Sequence, residues 1–211
     1  MFYLVRTPWW LRKFYKNALW QMPVKEKIIY ISFDDGPHPV ITPFVLDELK
    51  KYNARATFFC IGKNLLENPE VYKRILEEGH AVGNHSFSHM NGWKTKNADW
   101  LADIAKAKKY IDSNLFRPPY GRITRFQLKA LAGQGYRLKT VMWSVLSGDF
   151  DTAISPEACC KNVTRNAKSG SVIVFHDSEK ANIRMSYALP VVLKYFTEKG
   201  YRFEKIEQAM Q

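Results

Sequence analysis

The 211-residue sequence predicts an α/β fold in which parallel strands alternate with helices and curl into a barrel. Three observations favour this fold. Strand-like and helix-like segments alternate along the whole chain, about seven strands and six helices between them. No repeat, low-complexity tract or linker interrupts that alternation. Reactive polar residues follow five of the strands, and only a closed barrel brings all those strand ends to one face.

The first half of the chain contains the clearest signals. Residues 28–34 are a β-branched and aromatic run that breaks at Gly36 and Pro37. Thr42 is expected to cap the next helix, with Pro43 in its first position. Further strands are expected at 56–61 and 80–83, and further helices at 68–79, where Asn68 precedes Pro69, and at 97–113.

The second half continues the same alternation. A brief strand at 115–117 and a helix at 124–132 precede a long strand at 137–145. Ser155 and Pro156 open another helix, and 171–176 is a strongly β-forming run. A helix closed by Gly200 and a last strand at 201–206 complete the chain. Strands separated by helices in this way are typical of a parallel sheet.

Composition and charge narrow the functional classes. Hydrophobic residues make up 46% and charged residues 25% of the chain, which excludes a disordered protein. The net charge of +12 is compatible with an anionic partner. Lysine and arginine are nevertheless spread along the chain without a nucleic-acid-binding signature, so no nucleic acid is expected as partner. The three cysteines do not form a disulfide framework, and Cys60 is expected to be a small buried hydrophobe.

An aromatic and basic segment, residues 1–24, precedes the single domain expected at 25–211. Arg6, Pro8 and Arg12 interrupt its apolar residues, so it does not resemble a signal peptide. No run reaches the length of a transmembrane helix. We expect the segment to pack against the domain, with peripheral contact to a membrane surface as the alternative. A cytoplasmic or membrane-associated location is therefore expected, and the sequence predicts no oligomeric state.

The residues at the strand ends predict metal chemistry. Asp34 and Asp35 are adjacent at the end of the first strand and point in different directions, so one binds a cation while the other accepts a proton. His85 and His89 lie four residues apart after the third strand. Two imidazoles and one carboxylate leave coordination positions for water and substrate, as in catalytic zinc sites.

The donor set does not define a single metal. Nitrogen and oxygen ligands suit Zn²⁺ best, and Co²⁺, Ni²⁺ and Fe²⁺ also fit. A non-haem iron oxygenase would use the same ligand types, but it needs neither a second carboxylate nor an additional acidic histidine. Asp34 and His176 are candidates for both, which favours a hydrolase.

Four stretches of the sequence resemble motifs of the polysaccharide deacetylases of carbohydrate esterase family four, which share the NodB-homology domain. The resemblance extends from about residue 28 to residue 206, and it implies a distorted (β/α)7 barrel. The stretches are Ser32-Phe33-Asp34-Asp35-Gly36-Pro37, His85-Ser86-Phe87-Ser88-His89, Arg117-Pro118-Pro119-Tyr120-Gly121 and Val172-Ile173-Val174-Phe175-His176-Asp177.

The resemblance also implies a role for each matching residue. It assigns Asp35, His85 and His89 to the metal, and Asp34 to the general base. His176 would be the general acid. Arg117 would pair with Asp34, Asp149 would pair with His176, and Tyr120 would offer its backbone N–H to the oxyanion.

The fourth motif departs from the family. The stretch reads Trp143-Ser144-Val145-Leu146-Ser147-Gly148-Asp149-Phe150, so Leu146 stands where the family usually has a carboxylate and Phe150 where it has tryptophan. Asp149 is retained, so we expect activity to survive. Tyr120, Trp143 and Phe150 are the expected substrate-binding residues.

The activity implied by the resemblance is the metal-dependent removal of acetyl groups from N-acetylated carbohydrate, such as chitin or peptidoglycan. An O-acetyl esterase or a small-molecule amidase on the same fold stays open. A non-catalytic barrel that binds glycans is the alternative from another class, although the complete acid, base and ligand set argues against it.

Overall fold

The computed structural model of the chain describes residues 3–206; residues 1, 2 and 207–211, at the ends of the expected segment and domain, lie outside this range. Eight α-helices, one 3₁₀ helix (Pro119–Gly121) and eight strands lie within it, and helices separate most of the strands. The helices are α1 (Trp9–Phe14), α2 (Ile41–Lys51), α3 (Gly62–Glu67), α4 (Pro69–Glu77), α5 (Asn97–Lys108), α6 (Arg125–Ala132), α7 (Pro156–Thr164) and α8 (Glu179–Glu198). The strands are β1 (Ile28–Asp34), β2 (Ala56–Cys60), β3 (Ala81–Asn84), β4 (Leu115–Phe116), β5 (Lys139–Thr140), β6 (Val145–Leu146), β7 (Val172–His176) and β8 (Arg202–Phe203).

The strands form one parallel sheet in the order β5-β4-β3-β2-β1-β7-β6, with β8 pairing the start of β1. This confirms the expected fold, a parallel sheet curled into a distorted barrel. The central strand β1 is buried along its whole length, because helices cover one side of the sheet and the barrel interior covers the other. In the register of β1 and β7, Asp34 lies beside His176.

The main core lies between the sheet and helices α2, α7 and α8. Its centre is a stack of aromatic rings from neighbouring strands: Phe33 lies 5.1 Å from Phe58 and 6.1 Å from Phe175, measured between ring centroids. A second cluster surrounds Trp100, which is fully buried against Phe116. These cores hold the strand ends of the sheet at fixed positions.

The single long strand expected at 137–145 is wrong, because the chain breaks into β5 and β6. Thr140 pairs with β4, whereas Val145 pairs with β7, so the stretch between them passes from one end of the sheet to the other. The carbonyls of Val141 and Met142 accept hydrogen bonds from the buried guanidinium of Arg117. They are therefore unavailable for a regular strand ladder, and the strand is interrupted there.

The N-terminal segment runs along this interruption. Leu19 exchanges backbone hydrogen bonds with Thr140 and Met142, and Leu146 donates to the carbonyl of Val5. Trp20 is buried and its indole N–H donates to the carbonyl of Tyr15. Residues 3–24 thus lie on the barrel. Peripheral membrane contact through the exposed aromatic residues of α1 stays a prediction.

Other local expectations have mixed outcomes. The expectation that Thr42 caps a helix is wrong, because α2 already begins at Ile41. The Thr42 hydroxyl instead accepts a hydrogen bond from the His38 amide and donates one to Asp177. Ser155 caps α7 as expected, accepting from the amide of Ala158. The last strand is shorter than expected. Within residues 3–206, no helix has both the length and the apolar character that a bilayer span requires.

Replacing Trp20 by alanine tests the packing of the N-terminal segment. Because Trp20 is only 7% exposed, we expect the free energy of unfolding to fall by about 3 kcal/mol in urea denaturation. Trp9→Ala is the matched control, since Trp9 is 74% exposed and its loss should change stability by less than about 0.5 kcal/mol. Equal stability of the two variants would show that the segment is not part of the folded core.

Candidate active site

The carboxyl ends of the strands bring the predicted residues to one face of the barrel. Asp34 ends β1 and Asp35 follows it, while His85 and His89 lie in the loop after β3. Arg117 and Tyr120 follow β4, Asp149 follows β6, and His176 ends β7. This convergence arises from parallel pairing, which points every strand the same way.

Asp35, His85 and His89 form a cluster of potential metal ligands. One donor atom from each lies within 4.8 Å of the other two. The Nε2 atoms of His85 and His89 are 3.8 and 3.2 Å from Oδ1 of Asp35. Nδ1 of His85 is 2.8 Å from the carbonyl of Arg117, so it carries the proton and leaves Nε2 as a lone-pair donor toward Asp35. These three residues therefore fit a divalent ion.

The protonation states of the cluster also suit a metal. Burial lowers the pKa of His85 to about 4, so its imidazole is neutral near pH 7. Burial opposes ionisation of Asp35, but its hydrogen bond with His89 and the neighbouring imidazoles outweigh that effect and hold its pKa well below the ordinary value. A neutral imidazole and a carboxylate are the ligand forms that metals require.

Backbone strain is concentrated at this cluster. Of the six described non-glycine residues with positive φ, four lie here: Asp35, Ser86, His89 and Tyr120. Each such conformation costs on the order of 1 kcal/mol and persists only where the surroundings impose it. The loops are therefore held in shapes that aim these residues at the site.

The carboxylate of Asp34 is paired with the buried guanidinium of Arg117. Nη1 of Arg117 donates to Oδ1 of Asp34 over 2.7 Å and to the Ser32 hydroxyl over 2.8 Å. Its guanidinium also lies 4.0 Å from the centre of the Phe59 ring. Burial lowers the pKa of Arg117, while the charge of Asp34 raises it. Asp34 is thus one member of a buried ion pair beside the metal-ligand cluster.

The second charged pair joins His176 to Asp149. Nδ1 of His176 is 2.8 Å from Oδ1 of Asp149, and the His176 backbone N–H donates to Oδ2 over 2.6 Å. Burial alone would lower the pKa of His176, but the charge and hydrogen bond of Asp149 outweigh it and raise the pKa to about 10. His176 is therefore an imidazolium at neutral pH, and the charges of Asp34 and Asp35 favour this form as well.

Comparison with known proteins identifies the family to which this site belongs. Residues 21–138 match the polysaccharide deacetylase family model. A peptidoglycan-N-acetylglucosamine deacetylase of Bacillus cereus is 38% identical over 199 residues, covering 91% of this chain and 92% of that protein. The chain belongs to the polysaccharide deacetylase family. The protein is therefore a carbohydrate deacetylase, a hydrolase that cleaves the carbon–nitrogen bond of N-acetyl groups.

Two further relatives agree with this assignment. The peptidoglycan-N-acetylmuramic acid deacetylase PdaA of Bacillus subtilis is 33% identical over 204 residues, covering 92% of this chain and 75% of that protein. The solved structure of the Bc1960 peptidoglycan N-acetylglucosamine deacetylase, in complex with an N-oxidanyl-benzamide, has a TM-score of 0.85 and 33% identity and covers 95% of both chains. Deacetylases of this family are metal-dependent, in agreement with the Asp-His-His cluster.

The aromatic residues expected to contact substrate lie on two sides of the site. Tyr120 is 58% exposed, and its ring centroid is 4.5 Å from that of His89. Trp143 lies beneath the same turn, where a Cβ added to Gly121 would come within 2.5 Å of the indole. On the other side, the ring of Phe150 packs edge-on against His176 at 5.3 Å.

Two buried carboxylates of the deacetylase were missed by sequence reasoning. Asp103 of α5 accepts from the amides of Phe87 and Ser88 and from the Ser88 hydroxyl, and so fixes the loop between the two histidines. Asp177 accepts from the Gly36 amide, next to Asp35. A signal for Asp103 existed in the sequence, because it interrupts the apolar stripe of α5 between Trp100 and Ile104.

Replacing Asp103 by asparagine tests whether its hydrogen bonds fix the loop between His85 and His89. The change removes one of the two carboxylate oxygens that accept from the loop, so we expect Zn²⁺ affinity to fall by about 10- to 100-fold in a chelator competition titration. Asp99→Asn, an exposed position on the same helix, is the control and should leave the affinity unchanged. An unaltered dissociation constant for Asp103→Asn would contradict this role.

Proposed function

We propose that the protein removes the acetyl group from N-acetylglucosamine residues of peptidoglycan, with zinc held by Asp35, His85 and His89. The observation that carries this proposal is the arrangement of two charged pairs, Asp34–Arg117 and His176–Asp149, around the ligand cluster. The similarity to relatives named as peptidoglycan deacetylases supports the choice of substrate. The products are acetate and a glucosamine residue with a free amine.

The choice of zinc is supported by the donor set, two imidazoles and one carboxylate that leave positions open. When bound, the ion would polarise the acetyl carbonyl and lower the pKa of a water molecule in the site. All three ligands come from the loops after β1 and β3, and hydrogen bonds to the Asp35 carbonyl, to Nδ1 of His85 and from the Phe87 amide hold these loops in place.

Asp34 is the general base of the proposed reaction. It accepts a proton from the water that attacks the acetyl carbon, so a carbon–oxygen bond forms while the water O–H bond breaks. Arg117 donates to its Oδ1, and no hydrogen bond formed within residues 3–206 engages its Oδ2. The second oxygen is thereby available to the water.

Tyr120 and His176 would serve the later steps. The amides of Gly121 and Arg122 donate to the carbonyls of Pro118 and Pro119, and the Tyr120 N–H takes no part in either bond. We assign that N–H to the negative charge that develops on the acetyl oxygen. The imidazolium of His176 then protonates the leaving nitrogen as the carbon–nitrogen bond breaks.

Acetate release is the direct test of this function. The zinc-loaded protein should release acetate from peptidoglycan strands and from N-acetylglucosamine oligomers, and a chelator should stop the release until zinc is restored. Asp34→Asn should lower turnover by at least about a hundredfold while zinc content is unchanged, since a general base contributes roughly that factor. Activity confined to acetylated xylan or to cyclic imides would refute the proposal.

Replacing Asp149 by asparagine tests the proposed role of His176 as the general acid. The pKa of His176 is about 10, so His176 holds its proton below that pH. The alkaline limb of the pH–rate profile of the unaltered protein should therefore lie near that value. Without the carboxylate charge the pKa falls toward the ordinary value of about 6.5, and the alkaline limb should move down with it. We expect Asp149→Asn to lose most of its turnover at pH 8 and to regain part of it near pH 6. A pH–rate profile with an unmoved alkaline limb would exclude His176 as the acid.

A further inference from the structure

A fixed but exposed pair of side chains stands at the rim of the site, next to Tyr120. Trp93 is 55% exposed, and the guanidinium of Arg122 lies 4.2 Å from the centre of its ring. Trp93 follows the ligand His89 by four residues, and Arg122 follows Tyr120 by two. Both therefore belong to loops at the carboxyl ends of the strands, on the face that carries the site.

The two loops are packed together. A Cβ added to Gly92 would come within 2.4 Å of the Arg122 carbonyl, so only a glycine allows this approach. The indole N–H of Trp93 donates to the carbonyl of Ile123 over 3.1 Å, and its backbone N–H donates to the Asn91 side chain over 3.0 Å. The indole is thus held in one orientation although much of it faces solvent.

Such an arrangement is typical of a binding surface. A large exposed aromatic ring costs hydration free energy and is normally isolated and mobile, whereas this ring is anchored at its polar edge. It supports the flat face of a guanidinium, which leaves N–H groups of Arg122 directed away from the ring. A guanidinium edge is the group that binds a carboxylate through two parallel hydrogen bonds.

The two loops that carry Trp93 and Arg122, residues 85–96 and 117–124, contain no acidic residue. Among residues 3–206, no acidic side chain forms an ion pair with Arg122. Lys94 and Lys96, on the same loop as Trp93, are exposed and add positive charge. A neutral sugar chain would gain little binding free energy from this positive charge, whereas a glycan with carboxylates would be attracted and oriented by it.

We propose that Arg122, supported by Trp93, binds a carboxylate carried by the sugar next to the one that is deacetylated. In peptidoglycan that carboxylate belongs to the lactyl group or to the peptide attached to it. The pair would make the enzyme select an anionic glycan over a neutral N-acetylglucosamine oligomer. This inference rests on the proposed function and adds to it the residues that recognise the neighbouring sugar.

Kinetics on paired substrates test the inference. Arg122→Gln should raise KM for peptidoglycan strands about fivefold, the worth of one partly exposed ion pair, with kcat unchanged. KM for N-acetylglucosamine oligomers should not change, and Arg122→Lys should restore part of the loss. Arg202→Gln is the matched control, because it removes one exposed charge from β8, which pairs the start of β1 at the opposite end of the barrel.

A chemical change of the substrate provides the reciprocal test. Strands whose carboxylates have been converted to methylamides should show the raised KM with the unaltered enzyme, and Arg122→Gln should add no further increase. Trp93→Ala should reproduce much of the effect of Arg122→Gln, because the guanidinium loses its support.

An equal rise in KM for both substrates, or no rise for either, would overturn the inference. Equilibrium binding of peptidoglycan strands to the Asp34→Asn protein, with and without Arg122→Gln, gives the same answer without turnover. If the unaltered enzyme releases no acetate from either substrate, the proposed function fails, and this binding measurement still decides the role of Arg122 separately.

Discussion

The fully buried guanidinium of Arg117 is the interaction on which both the fold and the site depend. It joins Ser32 and Asp34 of the central strand to the carbonyls of Val141 and Met142, where the chain passes between the two ends of the sheet. A buried charge without a partner costs about 3–5 kcal/mol, so the barrel cannot rearrange at this point without a large loss of stability. The path of the chain between the two ends of the sheet and the pairing of Asp34 are therefore set by the same side chain.

Much of the fold and of the site could be predicted because the signals are local. Apolar strands such as β1 are readable as continuous runs, and the residue types that chemistry needs stand directly at their ends. Asp35, His85 and His89 were identified in this way, and the structure brings their donor atoms together. The parallel alternation puts the carboxyl ends of all strands on the same edge of the sheet, and the curl of the sheet brings them to one face.

What escaped prediction depends on contacts between distant parts of the chain. The break between β5 and β6 follows from carbonyls that turn toward Arg117, and no pattern within residues 137–145 signals it. Likewise Thr42 has the residue type of a helix cap, but its hydroxyl is taken by Asp177, which lies 135 positions away. Local helix-capping propensity is overridden where a buried polar group needs a hydrogen-bond partner. Leaving that group unpaired costs more folding free energy than losing a helix cap.

The departures from the family pattern can be judged by whether the buried polar groups of the site keep their hydrogen-bond partners. Both carboxylate oxygens of Asp149 are engaged by His176, and Leu146 is a buried apolar residue of β6, so the replacement of a carboxylate there leaves the His176–Asp149 pair complete. Phe150 keeps an edge contact with His176, and the ring of Tyr3 from the N-terminal segment packs on it at 5.1 Å. In this chain the N-terminal segment thus supplies part of the aromatic wall beside His176, and the smaller ring at position 150 is supported from outside the barrel.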